Sequence, residues 1–326
     1  MVKPLRLWMA GVLGCLFIGS AASQPYPRKA VTMILPNAPG GAFDAAARPL
    51  AQALSQSLGQ AVVVDNRPAA GGIVGAQAAA RATPDGHTII FTGSAQISLF
   101  PFLRKDLPYN PERDFAPISR LGFLDSFLMV HPTMTVNSLR ELLDLARSKP
   151  DSITFGTWGP TSASNMYIEW LKRARNISFY AVPYKTAPQA LNAGIAGEVQ
   201  VTVFGQGQTA PLVKAGKLKA LAATGTKRSP FLAQIPTLKE TNTGFDLETP
   251  LWVGLFAPAG TPRDVILRLN KEVNALLADH NYTDKALTAL GYLADEPGTP
   301  ESFAEFLKSD RKTYDDLVKL TGIKDE

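Results

Sequence analysis

A single cysteine and three histidines are all that the 326 residues hold of the two side chains that most often bind transition metals. Cys15 lies in an N-terminal apolar stretch, so the rest of the chain has no thiol for a disulfide, a nucleophile or a metal. His87, His131 and His280 stand apart, with no second ligand-type residue at metal-site spacing, and read as satisfied turn or surface residues. No metal and no cofactor is expected. Charge of one sign is also scarce. Lys and Arg number 33 against 28 Asp and Glu, and no five basic residues run together, which leaves no footprint for nucleic acid. Asp125, Asp310, Asp315 and Asp316 read as ordinary solvated charges of loops and helices, so no acid–base pair stands out. A Gly-x-Ser-x-Gly elbow is missing, and no Gly-Lys-Ser/Thr follows a glycine-rich turn. These gaps argue against an enzyme.

What is present begins at the N-terminus. Lys3 and Arg6 precede an almost wholly apolar stretch from Leu7 to Ile18, and Gly19-Ser20-Ala21-Ala22-Ser23 follows. Basic, apolar, small is the order of a secretory signal peptide, with cleavage expected near Ser23. A lipoprotein cut at Cys15 is the minor alternative. The apolar stretch runs for about 12 residues where a membrane helix needs roughly 20, so an anchor is not expected. Without Lys3 and Arg6 the net charge of +5 falls by two to +3, a mild positive bias that suits a small anion.

With 45% apolar and 19% charged residues, the remainder can build ordinary globular cores, and its length suits roughly two domains. Short β-rich runs alternate with longer helical ones. Strands are expected at 30–35, 61–65 and 88–92, with helices at 44–58 and from Gly72 to about residue 81. A second unit repeats the rhythm, with strands at 127–130, 154–156, 199–204 and 218–224 and helices at 138–149, 162–173 and 189–196. Ser138 followed by Glu141 has capping-box spacing. From Trp252 a strand leads into a helix reaching Ala278, and 301–319 forms a last helix that should return to the first unit. The pattern predicts an α/β protein of two lobes, each a mainly parallel sheet with helices on both faces. The expected division is a signal peptide at 1–23, a first lobe at 24–124 and 247–326, and a second lobe at 125–246.

Two strand-to-helix turns carry the chemistry. Leu35-Pro36-Asn37-Ala38-Pro39-Gly40-Gly41-Ala42-Phe43-Asp44 ends a strand, allows close backbone approach at two glycines and opens a helix. The free amides and positive dipole end of such a helix favour an anion, and Asp44 has the character of an N-cap. A tight turn without a ligand is the plainer reading of the same residues. Gly156-Thr157-Trp158-Gly159-Pro160-Thr161-Ser162-Ala163-Ser164 is the counterpart, dense in hydroxyls that can cap a helix or bind a carboxylate. Ala70-Gly71-Gly72-Ile73-Val74-Gly75 lacks the first glycine of a dinucleotide fingerprint and reads as close helix-to-strand packing.

The chain resembles the Bug family, the periplasmic substrate-binding components of tripartite tricarboxylate transporters. The resemblance runs from about Tyr26 to Gly322. It is carried by Tyr26-Pro27, 35–48, 62–75, Pro84-Asp85-Gly86, Leu107-Pro108-Tyr109-Asn110-Pro111, Asp114-Phe115-Ala116-Pro117-Ile118, Val182-Pro183-Tyr184-Lys185, 216–222, Lys227-Arg228-Ser229-Pro230 and Ala257-Pro258-Ala259-Gly260-Thr261-Pro262. It implies a periplasmic binding protein fold of type II, a Venus flytrap whose lobes close on a ligand. The ligand-binding set so implied is Pro39, Gly40, Gly41, Ala42, Phe43, Asp44, Ser94, Gln96, Thr157, Trp158, Thr161, Ser162, Ala163, Ser164, Tyr184, Lys185, Gly205 and Gln206. There are departures from the family pattern. Trp158 replaces a small residue, Asn165 stands where histidine is common, and Gly205-Gln206 replaces a usual aspartate, which makes an amino acid ligand less expected. Trp158 and Gly205 would give a roomier, more apolar pocket for an aromatic or longer carboxylate; alternatively Trp158 points away and covers the hinge.

The expected function is capture of a small organic carboxylate in the periplasm by a monomer that delivers it to membrane transporter subunits. Two rivals share these residues. One is a protein that presents its ligand to a membrane receptor kinase, the other a hydrolase acting through a serine near Ser162.

Overall fold

The computed structural model of the protein describes residues 26–158, 162–244 and 251–323, and leaves the side chain of Ala163 undescribed. The expected signal segment, Thr161 and the expected lobe boundary at 246/247 lie outside these residues. Strands β1 (Val31–Leu35), β2 (Val62–Asn66) and β3 (Thr88–Gly93) alternate with helices α1 (Ala42–Leu58) and α2 (Ile73–Ala80). Two single-turn helices, α3 (Phe100–Leu103) and α4 (Pro111–Asp114), lead into β4 (Phe115–Phe123). The chain then crosses to β5 (Ser126–Val130), α5 (Leu139–Ser148), β6 (Thr154–Thr157), α6 (Ala163–Arg175) and β7 (Tyr180–Pro183). It continues through α7 (Ala187–Ala196), β8 (Val201–Gly205), α8 (Gln206–Lys214) and β9 (Lys219–Ala223). The return consists of β10 (Trp252–Pro258), α9 (Arg263–Ala278), α10 (His280–Ala286), β11 (Leu293–Ala294) and α11 (Pro300–Thr321).

Local chemistry explains these limits. In α1 the residues Ala46, Ala47, Leu50, Ala51, Leu54 and Leu58 recur at helical spacing and are all buried, and Gly59 ends the helix with φ 69°. Burying Leu50 and Leu54 contributes about 2 kcal/mol each before entropy is counted. At α5 the expected capping pair forms. Ser138 Oγ accepts from the Glu141 amide at 3.2 Å, and the Glu141 carboxylate accepts from the Asn137 amide at 2.8 Å.

The strands form two sheets, in the orders β11-β4-β10-β3-β1-β2 and β7-β6-β8-β5-β9. Both are mixed: most strands in each share one direction and one or two are reversed. β1 runs parallel to β2 and β3, whereas β10 is antiparallel to β3 and β4, and β11 to β4. In the second sheet β6 is parallel to β7 and β8, but β5 is antiparallel to β8 and β9. The reason lies in the connections. A helix crossover forces a parallel neighbour, while β5 and β10 each arrive directly from the other sheet and enter from the opposite end. The two crossing segments lie side by side, with the Leu124 amide donating to the Leu251 carbonyl at 2.6 Å.

The last helix does return to the first sheet, packing on β4, and it also packs on α6 of the second unit. One apolar core therefore joins Ile34, Ile90 and Trp252 with Phe155, Leu171 and Val203 through Phe303 and Tyr314 of α11. Inside it, fully buried Trp252 donates Nε1 to Asp310 Oδ2 at 2.7 Å. Asp310 is thus a buried acceptor and not a solvated helix charge; burial raises its carboxyl above the ordinary value. Asp125, on the first crossing segment, is buried as well. His87 is also buried, correcting its reading as a surface residue. Its Nε2 accepts from the Arg28 amide at 3.1 Å, and the ring packs edge-on against Tyr26. No helix among the described residues is long and apolar enough to cross a membrane.

Candidate ligand-binding site

The turn between β1 and α1 is held from three sides. Asn66, at the end of β2, donates Nδ2 to the Asn37 carbonyl at 3.0 Å. Gly72, at φ 90°, lies so close behind the turn that an added Cβ would fall 2.4 Å from the Pro36 carbonyl oxygen. The 70–75 segment therefore packs helix against strand, as its sequence suggests, and forms the back of this turn. Gln96 completes the frame from the end of β3, donating Nε2 to the Gly71 carbonyl and accepting from Thr92 Oγ1.

Asp44 closes the front. Its role differs from the expected N-cap, because the N-cap is Gly41 and Asp44 is the third helical residue. Its carboxylate accepts from Arg48 Nε at 2.8 Å, Arg48 Nη2 and Asn66 Nδ2 at 2.9 Å, and the Gly40 amide at 3.0 Å. The Arg48 guanidinium above all, with Gly40 and Asn66, overcomes the effect of burial and holds the carboxyl down to about 2. With four donors in place, this carboxylate is an internal brace. The amides of Gly41, Ala42, Phe43 and Asp44 have no acceptor among the described residues. Pro39, Gly40, Gly41 and Ala42 are exposed, so these donors open outward, while half-buried Phe43 packs edge-on to Phe91. Ser94 is buried and bonds Tyr314 of α11.

The second turn is built on other principles. Thr157 ends β6 and is buried, and its carbonyl accepts from the Tyr184 amide at 2.8 Å, which sets the Tyr184-Lys185 segment beside it. Ser162 caps α6, its Oγ accepting from the Asn165 amide at 3.3 Å and lying 3.2 Å from Ser164 Oγ. Trp158 stacks on Phe204 with ring centroids 4.6 Å apart and an interplanar angle of 21°. Phe204 immediately precedes Gly205 and Gln206. Gln206 is fully buried, its amide donates to the Asp125 carbonyl at 2.9 Å, and neither polar atom of its side chain has a hydrogen-bond partner. Lys185 is exposed.

Each sheet thus presents one helix-start turn with its own supports. Sequence reasoning missed Asn66 and Arg48 as those supports, although Arg48 stands four residues after Asp44, the spacing of a helical ion pair. Among the described residues no group of three or more His, Cys, Asp or Glu could hold a metal ion.

Residues 46–314 match the model of the tripartite tricarboxylate transporter family receptor. The chain belongs to this family. Over 318 residues the receptor is 33% identical to the UPF0065 protein in the tcbD-tcbE intergenic region of Pseudomonas sp. (strain P51), covering 96% of this chain and 93% of that one. Among solved structures it is similar to Rpa4515 of R. palustris with adipate, at 30% identity and a TM-score of 0.78, covering 92% of this chain and 99% of that one. It is also similar to MatC from Rhodopseudomonas palustris with bound malate, at 28% identity and a TM-score of 0.74, covering 90% and 100%. The receptor therefore has the two-lobed periplasmic binding protein fold and is a solute-binding protein of this type.

Proposed function

We propose that the receptor captures a small organic carboxylate between its two helix-start turns, in the periplasm, and delivers it to the membrane subunits of a tripartite tricarboxylate-type transporter. The observation that carries this reading is the set of four unpaired amides at the start of α1, held in place by a carboxylate that is already saturated. Such amides suit a carboxylate, which brings acceptors and negative charge to the positive end of a 17-residue helix. The adipate and malate in the two related structures support the ligand class. Lobe closure would bring Thr157, Ser162 and Ser164 over the ligand, with Tyr184, Gly205 and Gln206 at the far end. Ser94 and Gln96 act from behind, by fixing the frame. Trp158 commits one face to Phe204, and its remaining edge gives the far end an apolar wall for a longer or aromatic acid. The working unit is a monomer of two lobes, divided at the crossing segments.

Thermal unfolding across a panel of dicarboxylates and aromatic acids tests this. A ligand at 100 times its Kd adds about 2.7 kcal/mol of stability. Ala42→Pro removes one of the four amides at the first helical position, where proline is well tolerated. It should weaken carboxylate binding roughly tenfold without lowering the melting temperature of the free protein. Unchanged affinity would sink this placement of the ligand.

A further inference from the structure

A cavity of about 600 Å3 lies away from both turns, between the first crossing segment, the residues after β11 and α11. It shares no residue with the two turns and meets the site described above where the Asp125 carbonyl accepts from the Gln206 amide. The volume is that of a small-molecule pocket. Part of its wall is apolar, with Phe123, Trp170, Phe306 and Leu317. The rest carries five carboxylates against one lysine, Lys227. Three of the five are already engaged: Asp295 by Arg120, Asp310 by Trp252 Nε1 and Asp316 by Lys312. Glu296 is exposed. Asp125 differs from all of them. It is only 4% exposed, and its Oδ1 has no hydrogen-bond partner among the described residues. Bare Gly225 backs it so closely that an added Cβ would fall 1.9 Å from Asp125 Oδ2.

The same wall shows how it treats a cation. Arg120 lies over the Phe306 ring at 4.1 Å and the Phe123 ring at 4.6 Å while donating Nε to Asp295. Carboxylate plus aromatic face is the chemistry that recognises an alkylammonium group.

We propose that this cavity binds an organic ammonium ion with an apolar body, its ammonium group on Asp125 and its hydrocarbon against Phe123, Trp170 and Phe306. An ammonium supplies the donor that Asp125 lacks, and it replaces hydration with an ion pair in a partly enclosed site. A carboxylate ligand would meet like charge here, so the preference is opposite to that of the α1 turn. Burial pushes the Asp125 carboxyl up to about 6, so it is largely ionised only above that pH. Asp295, Glu296, Asp310, Asp316 and Lys227 are the other titratable groups that face the cavity.

The test is calorimetric titration of the whole mature protein with 2-phenylethylammonium at about pH 7.5, beside the uncharged 2-phenylethanol and the anionic 3-phenylpropanoate. The ammonium should bind with roughly tenfold or greater preference over the alcohol, and the preference should shrink at about pH 5. Asp125→Asn should weaken ammonium binding roughly tenfold. Thr313→Trp, at an exposed position on the cavity wall, should abolish it by filling the space while leaving the melting temperature unchanged. If Asp125→Asn does not fold, the Thr313→Trp titration decides. Absence of binding up to about 10 mM, equal binding of the alcohol, or undiminished binding to Thr313→Trp overturns the proposal.

Discussion

Asp44 and Asp125 are equally buried, each with 4% of its surface exposed, yet their surroundings could hardly differ more. Asp44 accepts four hydrogen bonds, two of them from one guanidinium, and stays ionised down to about 2. Asp125 has an oxygen with no donor, and burial alone lifts it to about 6. Burial raises both carboxyls, but donors outweigh it at Asp44 while it acts unopposed at Asp125. The region near Asp44 is complete in itself and exposes amides to a ligand. The region near Asp125 is incomplete.

The sharpest way to break this comparison is to remove the brace. Asp44→Ala strands Arg48 and Asn66 and frees the Gly40 amide, and should cost about 3 kcal/mol in denaturant unfolding, with loss of carboxylate binding. A cost below about 1 kcal/mol would mean the four bonds are replaced by water.

The next test is pH. The folded value of Asp125 exceeds its ordinary 3.8, so the folded protein holds that proton longer than the unfolded chain. Its effect is absent below about pH 4, grows destabilising as pH rises to about 6 and levels off above that, about 3 kcal/mol in total. Asp125→Asn should therefore gain stability relative to the parent between those limits, read by urea unfolding at several pH values. Asp44 has the opposite sign: its contribution is present above 3.8 and is lost as pH falls through about 2. A flat difference between parent and Asp125→Asn would show that Asp125 is solvated after all.

The smallest effect belongs to Arg48→Met. Arg48 is more than half exposed, with 55% of its side chain in water, so the loss should be the smallest of the three and shrink in high salt. The variant should also begin to lose stability at a higher pH during acid unfolding, because the main group that holds Asp44 ionised is gone.

The sequence made the turns legible and the depths illegible. Two glycines between a β-rich run and an alanine-rich helix mark the α1 start through backbone rules that act within ten residues. The N-cap assignment failed for Asp44 because the helix starts from its N-cap at Gly41, three residues before it. Asp125, Asp310 and His87 were read as solvated because their burial comes from Gly225, Trp252 and Tyr26, at separations no local pattern encodes. The pattern places eight strands within one or two residues but misses β4, β7 and β11, and it does not show that β5 and β10 are reversed, since these look like any other apolar run until their neighbours are known.

Helix α11 supplies Phe303, Leu307, Tyr314 and Leu317 to a core shared by both sheets. Those residues follow β1 to β3 far along the chain. A growing chain can form β1 to β3 early, but the shared core stays open until residues 300–321 emerge. The core common to both sheets therefore closes only when a segment distant in sequence packs between them.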